Sequence, residues 1–265
     1  MHRRRMLRMK TSPSAIFVGH GAPTLALSQH PATSFLRALG EQIGKPSAVI
    51  MVSPHRQATA FEVGCANQFE AWHDFRGFDP ALYKLKYSPP GAPELAQQAR
   101  ELIAEAGLPN GLSTERRIDY GIWVPMRLMW PDQDVPVLPI SLLHDDPQAH
   151  YQLGQALRPM CTDGVILMAS GSITHNLSDV NLGEEMSPAS DWAVAFDDWI
   201  KQAIERRDDA ALLEYRNLAP HARHAHPEED HLMPLFVAIG AGGTGRALYT
   251  GFSYATVSLS AYAFD

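Results

Sequence analysis

Short apolar runs and longer amphipathic segments alternate along the chain. Each short run is continuously apolar and is followed within a few residues by glycine or proline, which is typical of strands buried on both faces of a sheet. These predicted strands are residues 15–18, 48–52, 135–143 and 165–169. The longer segments repeat apolar residues at helical intervals. These predicted helices are residues 31–43, 92–107, 146–160 and 190–207.

This alternation predicts an α/β fold in which helices cover both faces of a mostly parallel sheet. Residues 246–255 and 256–265 are predicted as edge strands that close the sheet. No Ser/Gly-rich linker and no internal repeat divides the chain. We therefore predict a single domain over residues 12–265, preceded by a flexible tail over residues 1–11.

Three segments carry more specific predictions. Residues 118–130 are too apolar to be exposed, and their glycine and proline are predicted to break the segment. A helix is predicted to begin at Pro227, which would place His231 one turn in. Residues 65–91 combine aromatic residues with glycine and proline and are predicted to form a long loop. Such a loop forms a lid or a pocket wall, or it covers an aromatic cluster beneath the surface.

The composition favours an enzyme that acts on a small molecule. Charged residues are 19% of the chain, and a formal net charge of -7 argues against nucleic acid or an anionic membrane as the main partner. Cys65 and Cys161 lack CxxC spacing, which favours free thiols in a reducing cytoplasm. The basic residues near the amino terminus lack the apolar core of a targeting peptide, and no apolar run is long enough to span a bilayer. The predicted location is the cytoplasm.

Four histidines lie where chemistry is expected in such a sheet. His20, His55 and His175 come at or after the ends of predicted strands, and His231 lies in the histidine-rich stretch 221–236. Parallel sheets bind ligands beyond the carboxyl ends of their strands. Neutral imidazole suits iron, zinc, copper and nickel, whereas magnesium and calcium need oxygen ligands. A lone histidine is more often a hydrogen-bonded core or surface residue, but three in equivalent positions favour a metal site.

Other histidines and motifs are not assigned to this site. The sequence GAGGTG at 240–245 follows a predicted helix and precedes a strand, which is the reverse of the dinucleotide-binding context. Ser170 and Ser172 lack the flanking pattern of a nucleophile. The histidines expected at the surface are His2, His30, His73, His144, His150 and His221.

Six segments together resemble the extradiol ring-cleaving dioxygenases of the 4,5-DOPA dioxygenase type, in the LigB-like superfamily. They run through most of the chain in family order, and the set is specific although each segment alone is weak. They are GHGAP at 19–23, SPH at 53–55, DFRGFDPALYKLKYSPPGAPELA at 74–96, DYGIWVPMRLMWP at 119–131, SGSITHNL at 170–177 and HPEEDHLMPLFVAIGA at 226–241.

The resemblance implies a LigB-like fold and an enzyme that opens a catechol ring beside the diol with O₂. By resemblance, His20, His55 and His231 are the metal ligands. His175 beside them is a further ligand or the general base that removes a phenol proton. The implied catalytic metal is Fe(II), with Zn(II) as an occupant of the isolated protein.

The chain departs from the family pattern in two places. Where the family usually has DHG, this chain has Asp119, Tyr120 and Gly121, so a tyrosine stands in place of a proton-donating histidine. Tyrosine, with a pKa of about 10, is a poorer acid at neutral pH than imidazolium. The SPHR segment at 53–56 replaces a SAHW-like turn, which is expected to reshape the pocket wall without removing the ligand.

Three functions follow from these residues. The leading hypothesis is a non-haem Fe(II)-dependent extradiol dioxygenase acting on a catechol-bearing aromatic acid or amine. The same imidazoles would also suit a zinc-dependent hydrolase, and Tyr120 leaves open a non-catalytic metal-binding relative. Arg56, Arg223 and Lys86 are candidates to pair with a substrate carboxylate, although solvated surface charge is their more common role. The pattern leaves the oligomeric state undetermined.

Overall fold

Residues 13–265 form twelve strands and nine α-helices in the computed structural model, which describes this part of the chain. The predicted tail over residues 1–11 lies outside the described residues. The strands are β1 (Ala15–Gly19), β2 (Ala48–Gln57), β3 (Phe61–Gly64), β4 (Glu70–Ala71), β5 (Asn110–Ser113), β6 (Arg117–Ile118), β7 (Val137–Leu142), β8 (Val165–Gly171), β9 (Gly245–Tyr249), β10 (Phe252–Ser253), β11 (Val257–Ser258) and β12 (Ala261–Phe264). The helices are α1 (Pro31–Ile43), α2 (Pro93–Glu105), α3 (Tyr120–Met129), α4 (Pro147–Leu157), α5 (Asp191–Arg206), α6 (Asp209–Leu213), α7 (Tyr215–Leu218), α8 (Ala222–Ala225) and α9 (Met233–Ala241).

The main sheet has eight strands in the order β5-β3-β7-β2-β8-β1-β12-β9. Its central strands β7, β2, β8 and β1 run parallel, whereas β12 and β9 are added antiparallel beside β1. The predicted α/β fold with a mostly parallel sheet is therefore confirmed. Of the two predicted edge strands, β9 lies at the edge, but β12 is an interior strand because it pairs with both β1 and β9.

Alternate residues of the central strands pack into separate cores on the two faces of the sheet. Phe17 and Ile50 belong to one core, and Val18 and Met51 belong to the other. Residues of α2, α4, α5 and α9 fill the first core, and residues of α1 and α3 fill the second. The continuous apolar runs in the sequence are explained by this burial on both sides. No helix among residues 13–265 has the length and apolar character needed to cross a membrane.

Helices α4 and α9 approach each other closely through two glycines. A Cβ on Gly154 would lie 2.1 Å from the carbonyl oxygen of Val237, and one on Gly240 would lie 2.1 Å from that of Tyr151. The glycines therefore allow the two backbones to touch. The stretch 240–245 leads from α9 to β9, so this GxGxxG match lies between a helix and a strand, in the order predicted from the sequence, and serves as a packing and turn element.

The predicted break in residues 118–130 is wrong. Helix α3 runs through both Gly121 and Pro125 without interruption. Pro125 has no backbone N–H, so the carbonyl of Gly121 lacks its usual donor four residues later. The hydroxyl of Ser170 on β8 supplies that donor, at 2.5 Å. A side chain from a neighbouring strand thus replaces the hydrogen bond that the proline removes from the helix.

The predicted helix start at Pro227 is also wrong, because α9 begins at Met233. His231 lies in a turn that precedes this helix. Arg216 holds the incoming segment: its guanidinium donates to the carbonyl of His226 at 2.5 Å and pairs with Glu229 at 3.1 Å. Pro234 lies in the first turn of α9, where its missing N–H costs no hydrogen bond, and this placement together with the bonds from α7 overrides the favourable composition after Pro227.

Residues 65–91 contribute both to a core and to a cavity wall. They contain only short elements: β4 and a 3₁₀ turn over Leu82–Lys84. Phe69 and Tyr87 are fully or almost fully buried in the second core, whereas Phe75 and Phe78 line the cavity described below. The pocket-wall and aromatic-cluster interpretations of this loop thus both apply, and Phe75 belongs to the core and to the wall.

Candidate metal centre

His20 and His55 lie side by side at the carboxyl edge of the sheet. His20 follows directly after β1, and His55 lies near the end of β2. The predicted end of β2 near Pro54 is replaced by an irregularity: pairing with β7 breaks between Val52 and Gln57, and the strand then resumes. Pro54 has no N–H to donate to a ladder. The bulge allows His55 to turn out of the strand toward His20.

His231 is brought to the same place by the end of β8. Its carbonyl accepts a hydrogen bond from the backbone N–H of Ser172 at 2.9 Å. The preceding Gly171 has no side chain to obstruct this contact, since a Cβ there would lie 2.4 Å from the His231 carbonyl oxygen. The turn before α9 is thereby fixed against the sheet.

The three imidazoles converge, and we call His20, His55 and His231 the histidine triad. One ligand nitrogen from each lies within 4.8 Å of the others. The Nε2 atoms of His20 and His55 are 3.3 Å apart. Two nitrogens that each lie about 2.1 Å from one metal ion, at an angle near tetrahedral, would be separated by about this distance. The triad therefore has the spacing of a metal site.

Ser170 fixes the protonation of His20. The Ser170 hydroxyl donates its one proton to the carbonyl of Gly121, so it accepts the hydrogen bond that joins it to Nδ1 of His20 at 2.8 Å. Nδ1 of His20 consequently carries the proton, and Nε2 keeps its lone pair. The missing N–H of Pro125 thus contributes to the choice of which nitrogen of His20 carries the proton.

Asp230 has the same effect on His231. Its carboxylate accepts from Nδ1 of His231 at 3.0 Å, which leaves the lone pair on Nε2. That Nε2 is buried and has no hydrogen-bond partner among the described residues. A metal ion would satisfy it, and a carboxylate behind the ligating imidazole is the usual support of such a ligand.

All three triad histidines are held in the neutral form that metal binding requires. Burial lowers the pKa of His20 and His231 well below the ordinary value, and the neighbouring imidazoles lower it further. Burial also lowers the pKa of His55, although Asp74 and Asp230 oppose the shift. Three neutral imidazoles, with the tautomers of His20 and His231 fixed and Nε2 of His231 unpaired, fit a first-row transition metal.

His175 and Tyr120 flank the triad on different sides. The His175 ring stacks on that of His231, with centroids 3.4 Å apart and planes 9° apart. Its donor atoms group with those of Asp230 and His231, rather than with those of His20 and His55. Burial lowers the pKa of His175 to about 4. The Tyr120 ring lies 4.2 Å from that of His55, and burial together with nearby carboxylates raises the pKa of its phenol above the ordinary value.

A cavity of about 380 Å³ opens beside these residues. His55, His231, His175 and Tyr120 form its polar end. Most of the remaining wall is apolar, and these lining residues include Phe75, Phe78, Leu177, Val180, Leu182 and Val257. The volume and lining suit a small aromatic molecule, with its polar groups directed at the triad.

Residues 14–265 match the family described as the catalytic LigB subunit of aromatic ring-opening dioxygenase. The chain belongs to this family. Similar relatives include the 4,5-DOPA dioxygenase extradiol of Beta vulgaris, 38% identical over 236 residues that cover 86% of each protein. The 4,5-DOPA dioxygenase extradiol of Escherichia coli K12 is 31% identical over 240 residues, covering 89% of this chain and 88% of the relative. By enzyme class, this LigB-family protein is an extradiol ring-cleaving dioxygenase.

A solved structure supports the same fold assignment. It is the crystal structure of an uncharacterized protein from Escherichia coli K12, with a TM-score of 0.77 and 25% sequence identity. The superposition covers 96% of this chain and 100% of that one. The predicted LigB-like α/β fold is confirmed.

Several histidines lie elsewhere than the sequence predicts. His150 and His30 are buried and not at the surface: Nδ1 of His150 bonds the carbonyl of Asp146 at 2.6 Å, and the His30 ring caps α1. Of the histidines in the stretch 221–236, only His231 belongs to the triad. His226 is buried behind it on the carbonyl of Ile173, and His224 pairs with Asp179 near the surface. His73 is partly buried, His144 and His221 are exposed as predicted, and His2 lies outside the described residues.

Ser170 and Asp230 were missed as parts of the site. Asp230 has a sequence signal, because a carboxylate beside a candidate ligand is a common support. For Ser170, no neighbouring residue in the sequence indicates that its hydroxyl supports a histidine. It reaches His20 through the pairing of β8 with β1.

Proposed function

We propose that this protein is a non-haem Fe(II)-dependent dioxygenase that opens the ring of a catechol. The observation that carries the proposal is the histidine triad, with its neutral imidazoles and unpaired Nε2 of His231, at the end of a cavity sized for one aromatic ring. His20, His55 and His231 would hold the metal. Fe(II) would supply the redox chemistry between the diol and O₂, which no side chain here provides.

His175 is proposed as the general base. Its lowered pKa keeps the imidazole neutral at pH 7, so it is able to accept a proton from a catechol hydroxyl. It lines the cavity and makes no side-chain hydrogen bond to another described residue that would compete for this role. Stacking on His231 fixes the plane of the ring. An additional role as metal ligand stays a prediction.

Tyr120 is proposed as a hydrogen-bond donor to the substrate. Its raised phenol pKa keeps the proton on the oxygen at neutral pH, and its ring stands between His55 and Phe75. A phenol that stays protonated stabilises a developing negative charge without giving up its proton. Tyrosine in place of the family histidine is therefore compatible with catalysis.

The proposal is tested by anaerobic reconstitution with Fe(II), followed by addition of air and a panel of catechols. Oxygen uptake matched by a yellow ring-opened product is expected, with Zn(II)-loaded protein as the inactive control. Absence of uptake with every catechol would contradict the proposal. Ester cleavage by the Zn(II) form without O₂ would instead support the hydrolase alternative, which the family match does not favour.

A further inference from the structure

The charged side chains that line the cavity are all acidic among the described residues. Glu228 and Asp230 are its carboxylates, and neither lysine nor arginine appears in the wall. Asp230 bonds the ring of His231, so it is already engaged. Glu228 is exposed and forms no hydrogen bond or ion pair with any described residue. It is therefore the free charge at the rim.

The cations predicted to meet a substrate carboxylate lie elsewhere. Arg56 pairs with Glu62 at 3.1 Å, bonds Ser113 at 2.6 Å and lines a different cavity. Lys86 lines a third cavity, and Arg223 lies exposed on α8 outside the wall. No arginine or lysine within residues 13–265 thus lines the histidine cavity.

Two exposed leucines line the same cavity as Glu228. Leu177 and Leu182 line the same cavity and are 69% and 79% exposed. A substrate whose diol lies at the triad would direct its ring substituent toward these residues. A carboxylate there would meet a like charge, whereas an ammonium group would meet an opposite charge and an alkyl group would meet leucine.

We propose that this cavity selects catechols with a cationic or uncharged side chain and discriminates against those with a carboxylate, with Glu228 as the specificity-determining residue. The inference rests on the proposed function, since it assumes that the diol lies at the triad. It narrows the aromatic acid or amine expected from the sequence to the amine or a neutral alkyl catechol.

The test measures dissociation constants rather than turnover. Zn(II)-loaded full-length protein is titrated calorimetrically without O₂, at low salt, with dopamine, 4-methylcatechol and 3,4-dihydroxyphenylacetate. We expect dopamine to bind about 10-fold more tightly than the acid, with the neutral catechol between them. Equal or tighter binding of the acid would overturn the proposal, and failure of every catechol to bind would overturn both this proposal and the proposed function.

Variants assign the selectivity to one residue. Glu228→Lys should lower the preference for amine over acid by at least about 10-fold, and Glu228→Gln should lower it by about 3-fold. Glu105→Lys makes the same change in net charge at the end of α2, which contributes nothing to the cavity wall, and should leave the ratio unchanged. If Glu228→Lys and Glu105→Lys changed the amine-to-acid binding ratio equally, Glu228 would not be the residue that determines specificity. A preserved binding ratio without O₂ uptake by the Fe(II) form would count against the dioxygenase chemistry alone.

Discussion

The histidine triad and the core histidines His150 and His226 share burial but not arrangement. Burial lowers the pKa of His150 and of His226 to about 4, as it lowers those of the triad. Each core histidine bonds one backbone carbonyl and directs its other nitrogen, which has no described partner, into the protein. Their nearest rings are aromatic side chains: Phe61 beside His150, and Phe196 and Tyr215 beside His226.

The comparison shows that a buried, neutral histidine with an unpaired nitrogen is not by itself a ligand. The triad differs because one ring nitrogen from each of its three imidazoles lies within 4.8 Å of the other two. Groups that accept from one nitrogen, Ser170 and Asp230, also leave the other nitrogen of His20 and His231 free toward a common centre. Convergence, and not burial, distinguishes the site.

The largest expected effect comes from removing one triad member. His231→Ala should lose its metal and reduce kcat/KM with catechol by well over about 100-fold, because removal of a ligand exceeds the loss caused by removing its support. Metal analysis of the purified protein and oxygen uptake measure the two effects. His150→Leu is the matched control and should keep the metal. If both variants stayed folded and both lost the metal, the triad would not differ from the core histidines in metal binding.

Tyr120→Phe tests whether catalysis at the triad also needs a hydrogen-bond donor from residue 120. The change keeps the ring beside His55 and deletes the hydroxyl, so kcat should fall by about 100-fold with metal content unchanged. Steady-state kinetics and metal analysis check this together. Tyr120→His should restore part of the lost activity, since imidazole is also able to donate. A Tyr120→Phe enzyme with full kcat would exclude the donor role.

Ser170→Ala should have a smaller effect, through the tautomer of His20. Without the hydroxyl, Nδ1 of His20 loses its acceptor and the Gly121 carbonyl loses its donor. Metal affinity should fall by about 10- to 100-fold, as is typical when the support of a ligand is removed. Competition with a chelator measures this affinity. Ser172→Ala, beside it in sequence but bonded to the carbonyls of Thr174 and Ser258, should leave the affinity nearly unchanged.

The last prediction concerns a core histidine, His150, and the way the free energy of unfolding depends on pH. The pKa of His150 in the folded protein is about 4, below its ordinary value of 6.5, so the unfolded chain binds the proton first as the pH falls. His150 therefore contributes stability that is present above about pH 6.5 and is lost progressively toward pH 4. Between pH 6.5 and 4.5 this loss amounts to about 2–3 kcal/mol.

His150→Leu should remove that loss while leaving the site intact. Urea unfolding of the metal-free protein at several pH values should show a shallower decline toward acid in the variant. At pH 7 the two proteins should differ by no more than about 1 kcal/mol, because the Asp146 carbonyl still accepts the backbone N–H of residue 150. An unchanged acid decline would mean that His150 is not the group protonated on unfolding.

The sequence alone determined the central strands and the edge of the sheet where the site lies. Runs such as residues 48–52 are apolar at every position because both faces of the sheet are covered, and this signal is local. A histidine placed after such a run lies at the carboxyl edge, which follows from the parallel order of the strands. His20 and His55 are therefore identifiable as site candidates from the sequence alone.

The tertiary structure decided the points that depend on partners far away in the chain. Helix α3 passes through Pro125 because Ser170 provides the missing donor, and Arg216 holds the segment that precedes α9. His150 and His231 each have one buried ring nitrogen without a hydrogen-bond partner, but only His231 lies beside the ring nitrogens of two other histidines. Periodicity and propensity describe neighbours along the chain, whereas a hydrogen-bond donor or a second ligand is supplied across it, so these features emerge only when the strands and helices have packed.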